Sequence, residues 1–281
     1  MTQPSPTKTV LITGCSSGIG LDAAKTLQHS SFRIVTAARK PEDVARLKDL
    51  GFHAVQLDYS DSASVQSAWQ QALDIGEGTI YGLVNNGAYG QPGALEDVSR
   101  DVLRAQFEAN VLGLHELTNL ALPVMRAQGE GRIIQISSVL GLVSMKYRGA
   151  YNASKYAIEG LTDTLRLELH GTNIHACLVE PGPIESDFRP NARTQFLANI
   201  DRENSAHAQS YKTVLARLEK EGHGSRFTLP ADAVTQKILH ALTHSKPKAH
   251  YYVTFPTYLF ATLKRIFPTR WLDRILRMAD G

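Results

Sequence analysis

Tyr151 and Lys155 stand four residues apart in the run Tyr151, Asn152, Ala153, Ser154, Lys155. That spacing predicts a phenol and an ammonium on one helix face, close enough to interact. A nearby ammonium favours the phenolate and lowers the tyrosine pKa, so Tyr151 could give or take a proton nearer neutral pH. Ser138 lies just past an apolar run and ahead of that helix. Its hydroxyl would stand near the helix carrying Tyr151, although Ser137 and Ser138 read equally well as a strand-end turn. Asn110 falls inside a long helical pattern, where asparagine is locally unfavourable; it reads either as part of the site or as a tolerated interior polar residue.

A second set of residues suits a dinucleotide. Gly14, Cys15, Ser16, Ser17, Gly18, Ile19 and Gly20 follow a short apolar strand and open a helix. Glycines there let the backbone approach a pyrophosphate, and the helix N-terminus supplies free N–H groups and a positive dipole end. Arg39, at the end of the second strand, has no Asp or Glu near it between 30 and 41. An acid at that place would accept from the adenosine ribose of NAD, whereas a base suits the 2′-phosphate of NADP. Asp58, after the third strand, is placed for an adenine edge, and equally for a turn or N-cap. Asn86 and Gly87 follow the fourth strand, where small residues let a ribose pack on the backbone. Pro181, Gly182 and Ile184 follow the sixth and could close over a nicotinamide, or simply end the strand.

These residues require elements that bring them to one edge. Strand patterns at 9–12, 32–38, 53–57, 80–84, 132–136 and 174–180 alternate with helical patterns at 62–73, 99–127 and 151–170. Repeated β–α alternation predicts an α/β fold, a Rossmann-type doubly wound parallel sheet whose ligands bind beyond the carboxyl ends of the strands. Between 183 and 228 the pattern breaks into polar sequence with helix-like pieces at 194–200 and 206–220, as expected of a substrate loop or lid. A helix over 230–243 and a short strand at 251–253 complete a single catalytic domain spanning 8–255.

Composition agrees with one large globular domain. The 281 residues are 43% hydrophobic and 20% charged, with a formal net charge of +3. That is too apolar for disorder and too weakly charged to argue for nucleic acid. Two cysteines, Cys15 and Cys177, are too few for a disulfide framework, so a cytoplasmic location is expected. No tight His/Cys cluster has zinc spacing, and no metal is expected.

In order and spacing these motifs resemble the short-chain dehydrogenase/reductase family in its classical form, from about residue 8 to 183. TGCSSGIG at 13–20 matches the family's TGxxxGxG cofactor loop and YNASK at 151–155 its YxxxK pair, while Ser138 and Asn110 match the other two members of its catalytic tetrad. PGPIES at 181–186 matches the nicotinamide-flanking segment, with Ser186 where Thr is usual. One departure stands out: the family's NNAG reads Asn85, Asn86, Gly87, Ala88, for which a shifted turn is expected. The start of the chain and its C-terminal third look most like reductases of apolar carbonyls, including retinal, steroid and bacterial aldehyde reductases. The resemblance implies NADP(H) as cofactor and an apolar aldehyde or ketone as substrate. It implies proton donation by Tyr151, a hydrogen bond from Ser138 to the carbonyl oxygen, Lys155 on the nicotinamide ribose, and a water positioned by Asn110. It also implies a homodimer or homotetramer built on the two long helices. The rivals are an NAD(P)-dependent alcohol or hydroxysteroid dehydrogenase running oxidatively, and a non-catalytic NADP(H)-binding sensor or scaffold.

The tail, 256–281, is amphipathic: apolar and aromatic residues alternate with Lys264, Arg265, Arg270, Arg274 and Arg277, and Pro268 divides it into two helices. Five basic residues and two Asp give it a charge equal to that of the whole chain. Three roles compete for it: a cap over the substrate opening, a contact with a second subunit, or a peripheral contact with a membrane surface.

Overall fold

The computed structural model describes residues 7–87, 89–220, 222 and 225–279. The first half winds as β1 (Lys8–Ile12), α1 (Gly18–Gln28), β2 (Phe32–Ala38), α2 (Pro41–Asp49), β3 (His53–Gln56), α3 (Ser62–Ile75) and β4 (Gly82–Asn85). Then come α4 (Arg100–Phe107), α5 (Gly113–Gln128), β5 (Gly131–Ile136), α6 (Gly149–Glu168) and β6 (Ile174–Glu180). The last third holds α7 (Phe188–Asn199), α8 (Ala208–Glu219), α9 (Asp232–Thr243), β7 (His250–Tyr252), α10 (Phe255–Ile266) and α11 (Thr269–Ala279).

The seven strands form one parallel sheet in the order β3-β2-β1-β4-β5-β6-β7. Leu11 registers with Val35 on one side and Leu83 on the other. Chain direction across the sheet reverses between β1 and β4, and that is where a doubly wound sheet opens a crevice at its carboxyl edge. The strands are apolar on both faces because both are covered. One face packs Ala23, Ala24 and Leu27 of α1, Val44 and Leu47 of α2, and Ile238 and Leu242 of α9. The other packs Val65 and Trp69 of α3, Leu117 and Met125 of α5, and Ile158 of α6. Each fully buried aliphatic side chain contributes roughly 1.5–3 kcal/mol.

Local sequence sets the boundaries. Asp61 caps α3 by accepting from Ala63 N at 3.0 Å, and Ser99 caps α4 by accepting from Val102 N at 3.3 Å. Helix α2 has no counterpart among the expected elements, because its short apolar stripe is only Val44 and Leu47. It is specified instead by Pro41 at its start, acids in its first turn and bases in its last.

The single helix expected over 99–127 is broken. Between α4 and α5 the chain makes a π-helical turn over Glu108–Leu112. A Cβ on Gly113 would lie 2.0 Å from the Tyr59 carbonyl oxygen, so the helix passes directly against another backbone there. The wider turn lets Gly113 meet that backbone while Asn110 points elsewhere. The segment 183–228 is ordered around its own cluster of Ala192, Phe196, Tyr211, Val214 and Leu218, with α7 beginning at Phe188, earlier than the expected 194. Among the described residues no helix is long and apolar enough to cross a membrane.

Candidate active site

The cofactor-type loop joins β1 to α1. Gly14 has φ +63° and Gly18 φ +53°, conformations that L side chains rarely adopt. A Cβ on Gly20 would sit 2.4 Å from the Gly14 carbonyl oxygen, so only glycine lets the helix start this close to the strand. A Cβ on Gly18 would lie 3.0 Å from Ser186, which places the segment after β6 directly over the loop. Ser17 occupies the N-cap of α1 without a side-chain cap bond, leaving the helix N-terminus for another acceptor. Asn86 ties the loop to β4, donating from Nδ2 to the Thr13 and Gly14 carbonyls at 3.2 and 3.3 Å. Arg46 of α2 donates to the Ser16 carbonyl from the other side. A glycine cradle, a free helix N-terminus and a covering strand end fit a dinucleotide pyrophosphate.

Arg39 is exposed at the end of β2. Its charge favours the phenolate of Tyr89, although half-burial pushes that phenol up overall. Asp58 is not the N-cap of α3, which is Asp61; its Oδ1 closes a local turn by accepting from Ser60 N at 2.9 Å. The exchange of Ala and Gly after β4 has a steric origin. A Cβ on Gly87 would come within 2.2 Å of the Tyr59 ring, which fills that space and bonds Thr13 and Asn85 through its hydroxyl at 2.9 and 2.8 Å. Ala88 lies outside the described residues. Gly182 is equally constrained, since a Cβ there would meet Thr254 Oγ1 at 2.0 Å. Ile184 bridges to Leu229, and the Pro181 carbonyl accepts from Val139 N at 2.9 Å.

Tyr151 and Lys155 lie in the first turns of α6, both buried. Burial pushes the Tyr151 phenol well up, and the Ser138 hydroxyl beside it works the other way. Desolvation thus opposes the lowering that an ammonium one turn away would produce, and it favours the protonated phenol, the form that can donate a proton. Lys155 is 1% exposed and donates from Nζ to the Ile136 carbonyl at 2.7 Å, with Nζ 5.6 Å from the Tyr151 ring centre. Desolvation lowers its pKa to about 8, opposed by the charge of Glu159 one turn further along α6.

Asn110 sits in the π turn with its side chain fully engaged. Its Oδ1 accepts from Tyr89 N at 3.2 Å, and its Nδ2 donates to Tyr89 O at 3.0 Å and to Ser154 Oγ at 3.2 Å. Gln106 makes a second clamp, to Tyr89 O at 2.9 Å and Gln91 N at 2.8 Å. The loop after β4 is thereby bolted to α6 and to the broken helix.

Apolar side chains roof the site. Phe188 packs on Tyr151 with ring centres 5.1 Å apart, and a Cβ on Gly90 would meet the Phe188 ring at 2.6 Å. Val139, Leu140, Val143 and Tyr151 form one cluster with Phe260 and Leu276, against which Leu263, Leu272 and Ile275 pack. The tail helices α10 and α11 thus lie over the segment that carries Ser138. A groove of about 280 Å³ runs between α11 and residues 144–146.

Other groups at the site escaped the sequence reading. Glu159, Glu180 and His250 place ligand-type atoms within 4.8 Å of one another behind Lys155. His250 Nδ1 lies 2.6 Å from Glu180 Oε1, and Tyr251 N donates to Glu180 Oε2 at 3.0 Å. Burial pushes Glu159 up to about 7, and the negative charge of Glu180 adds to that. The i, i+4 spacing that joins Tyr151 to Lys155 also joins Lys155 to Glu159, so this acid was within reach of the sequence. Glu180 and His250 come from separate strands and were not. Cys15 is buried, donates to the Ile12 carbonyl at 3.1 Å and has its pKa raised to about 12, so it is no reactive thiol.

Residues 8–196 match the family model described as short chain dehydrogenase. The chain belongs to the short-chain dehydrogenase/reductase family. It is an oxidoreductase of that type, and the family binds nicotinamide cofactors. It is 43% identical over 270 residues to the uncharacterized oxidoreductase YbbO of Escherichia coli K12, covering 96% of this chain and 94% of that protein. It is 30% identical over 274 residues, 94% of each chain, to an NADPH-dependent 3-dehydrocapnine reductase of Ornithobacterium rhinotracheale. The crystal structure of a short-chain dehydrogenase/reductase from Burkholderia phymatum in complex with NAD superposes with a TM-score of 0.77 at 26% identity, covering 98% of this chain and 97% of that one.

Proposed function

We propose that this short-chain reductase transfers a hydride from NADPH to the carbonyl of an apolar aldehyde or ketone, with Tyr151 as the proton donor. The observation that carries the reading is the placement of Tyr151, buried beside Ser138 with Lys155 Nζ 5.6 Å from its ring centre, under a roof of Phe188 and aliphatic side chains. A neutral phenol serves reduction, because the step consumes a proton at the oxygen that gains charge.

NADPH, when bound, supplies the hydride. Gly14, Ser16, Ser17, Gly18, Ile19 and Gly20 would hold its pyrophosphate at the N-terminus of α1. Arg39 would meet the 2′-phosphate, Asp58 the adenine, and Asn86 and Gly87 the adenosine ribose. Pro181, Gly182 and Ile184 would flank the nicotinamide, and Lys155 would hold the ribose beside it. Ser138 donates a hydrogen bond to the carbonyl oxygen as negative charge builds there, a role of oxyanion-hole type. Tyr151 gives that oxygen its proton, and the Lys155 ammonium stabilises the phenolate left behind. Asn110 would position a water leading from Lys155 to solvent, and it also holds the Tyr89 loop. Exposed Leu112, Leu161 and Leu167 on the helices flanking the site support assembly as a homodimer or homotetramer.

The exposed Arg39 and the lack of any Asp or Glu along β2 between 30 and 41 favour NADPH over NAD, and the NADPH dependence of one relative supports the same choice. A panel of aldehydes and ketones assayed with both reduced cofactors tests the reading. Turnover of apolar members with NADPH is expected, and Arg39→Asp should shift the preference toward NADH by at least roughly tenfold, the equivalent of losing one charge-assisted contact of about 1.4 kcal/mol. An unchanged preference in that variant would remove the cofactor assignment. Tight NADPH binding without turnover of any carbonyl would favour a sensor.

A further inference from the structure

The tail carries more apolar surface than the domain covers. On α11, Leu272, Ile275 and Leu276 face the domain. Trp271 and Met278 lie at the margin of the same apolar arc and are 56% and 76% exposed. At the corner between α10 and α11 every residue from 264 to 271 is exposed. That corner interleaves Ile266, Phe267 and Trp271 with Lys264, Arg265 and Arg270. Arg274 lies over the Trp271 ring at 5.4 Å and Lys264 over the Tyr156 ring at 4.6 Å, so both cations flank aromatic surface.

We propose that this corner docks the protein on a bilayer surface containing anionic phospholipid. Ile266, Phe267 and Trp271 would enter the acyl boundary, and Arg265, Arg270, Arg274 and Arg277 would lie among the head groups. Helices that combine a large apolar face, aromatic residues and a basic polar face bind in this way, and each cation near an anionic surface adds to the attraction. Charge also decides against a second copy of the chain as the occupant. A two-fold contact sets the same patch against itself, bringing this cationic corner onto an identical one. The docked helices are the same pair that covers the segment bearing Ser138. On the functional reading above, the surface would therefore deliver an apolar carbonyl compound dissolved in the bilayer to the site; docking itself does not depend on that reading.

Flotation of the full chain with vesicles of phosphatidylcholine alone, and of phosphatidylcholine mixed with phosphatidylglycerol, tests the proposal. The protein is expected to float with the mixed vesicles, less so with the neutral ones, and to be released by salt. Trp69 is buried, so a blue shift of tryptophan emission on binding should come from Trp271 and vanish in Trp271→Phe. Ile266→Glu and Arg270→Glu lie on exposed surface and should each weaken vesicle binding by roughly tenfold or more. Their turnover of a water-soluble aldehyde should be unchanged. Failure to float with either vesicle, or equal flotation of Ile266→Glu, overturns the proposal. So does a concentration-dependent dimer that Ile266→Glu abolishes, because the face would then be a protein interface. Loss of carbonyl turnover with vesicle binding intact would count against the enzymatic reading alone.

Discussion

Burial adds to what the spacing of Tyr151 and Lys155 suggests. It is the largest influence on the phenol and favours its protonated form, while the lysine is tied to the Ile136 carbonyl and has the charge of Glu159 working to keep its ammonium. Tyr151→Phe should lower kcat by roughly 10²–10⁴, the range for a general acid, while NADPH titration by fluorescence stays within a few-fold of wild type. A variant that kept its rate would show that the proton comes from elsewhere. Lys155 has its pKa lowered to about 8, so its charge is present below that pH and lost above it. Turnover measured as kcat/KM should then fall as pH rises through about 8. Glu159 favours the charged lysine, so Glu159→Gln lowers the lysine pKa further and should move the alkaline limb to lower pH. A limb at the same position in both proteins would sever Glu159 from the site.

Two elements position these residues. The π turn at Glu108–Leu112 aims Asn110 at Tyr89 and Ser154, and lets Gly113 lie on the Tyr59 backbone. Asn110→Ala removes three hydrogen bonds and leaves the Tyr89 amide without this acceptor. The expected cost is about 1–3 kcal/mol, visible as a lower thermal midpoint and a raised KM for NADPH as the loop loosens. An unchanged midpoint and KM would mean that Gln106 alone holds the loop. Helix α2 works on the opposite side of the cofactor loop, through Arg46 on the Ser16 carbonyl. The sequence announced the loop and the long helices because glycine spacing and apolar periodicity are local. It did not announce the π turn, because the reason for that turn is the backbone of Tyr59, about fifty residues away in the chain.

At the scale of the molecule, the tail completes the roof over the site, with Phe260 and Leu276 buried against Val139, Leu140, Val143 and Tyr151. Leu276→Ala should destabilise the protein by about 2 kcal/mol, the low end for a buried leucine, and also loosen the cover over Tyr151. Denaturant unfolding measures the first effect and the KM for bulky against small aldehydes the second; a stable variant with unaltered selectivity would reduce the tail to a surface appendage. The sequence by itself determined the doubly wound parallel sheet, the Gly14 to Gly20 cradle, the Tyr151–Lys155 pair and the family, since each is written in short-range spacing or in the β–α rhythm. It left open what covers Tyr151, why Gly87 replaces the usual alanine, and which groups surround Lys155. Those answers depend on Phe188, Tyr59, Glu180 and His250 meeting residues far away in the chain. Only the fold fixes such contacts, because packing and desolvation arise when distant segments exclude water from the same space.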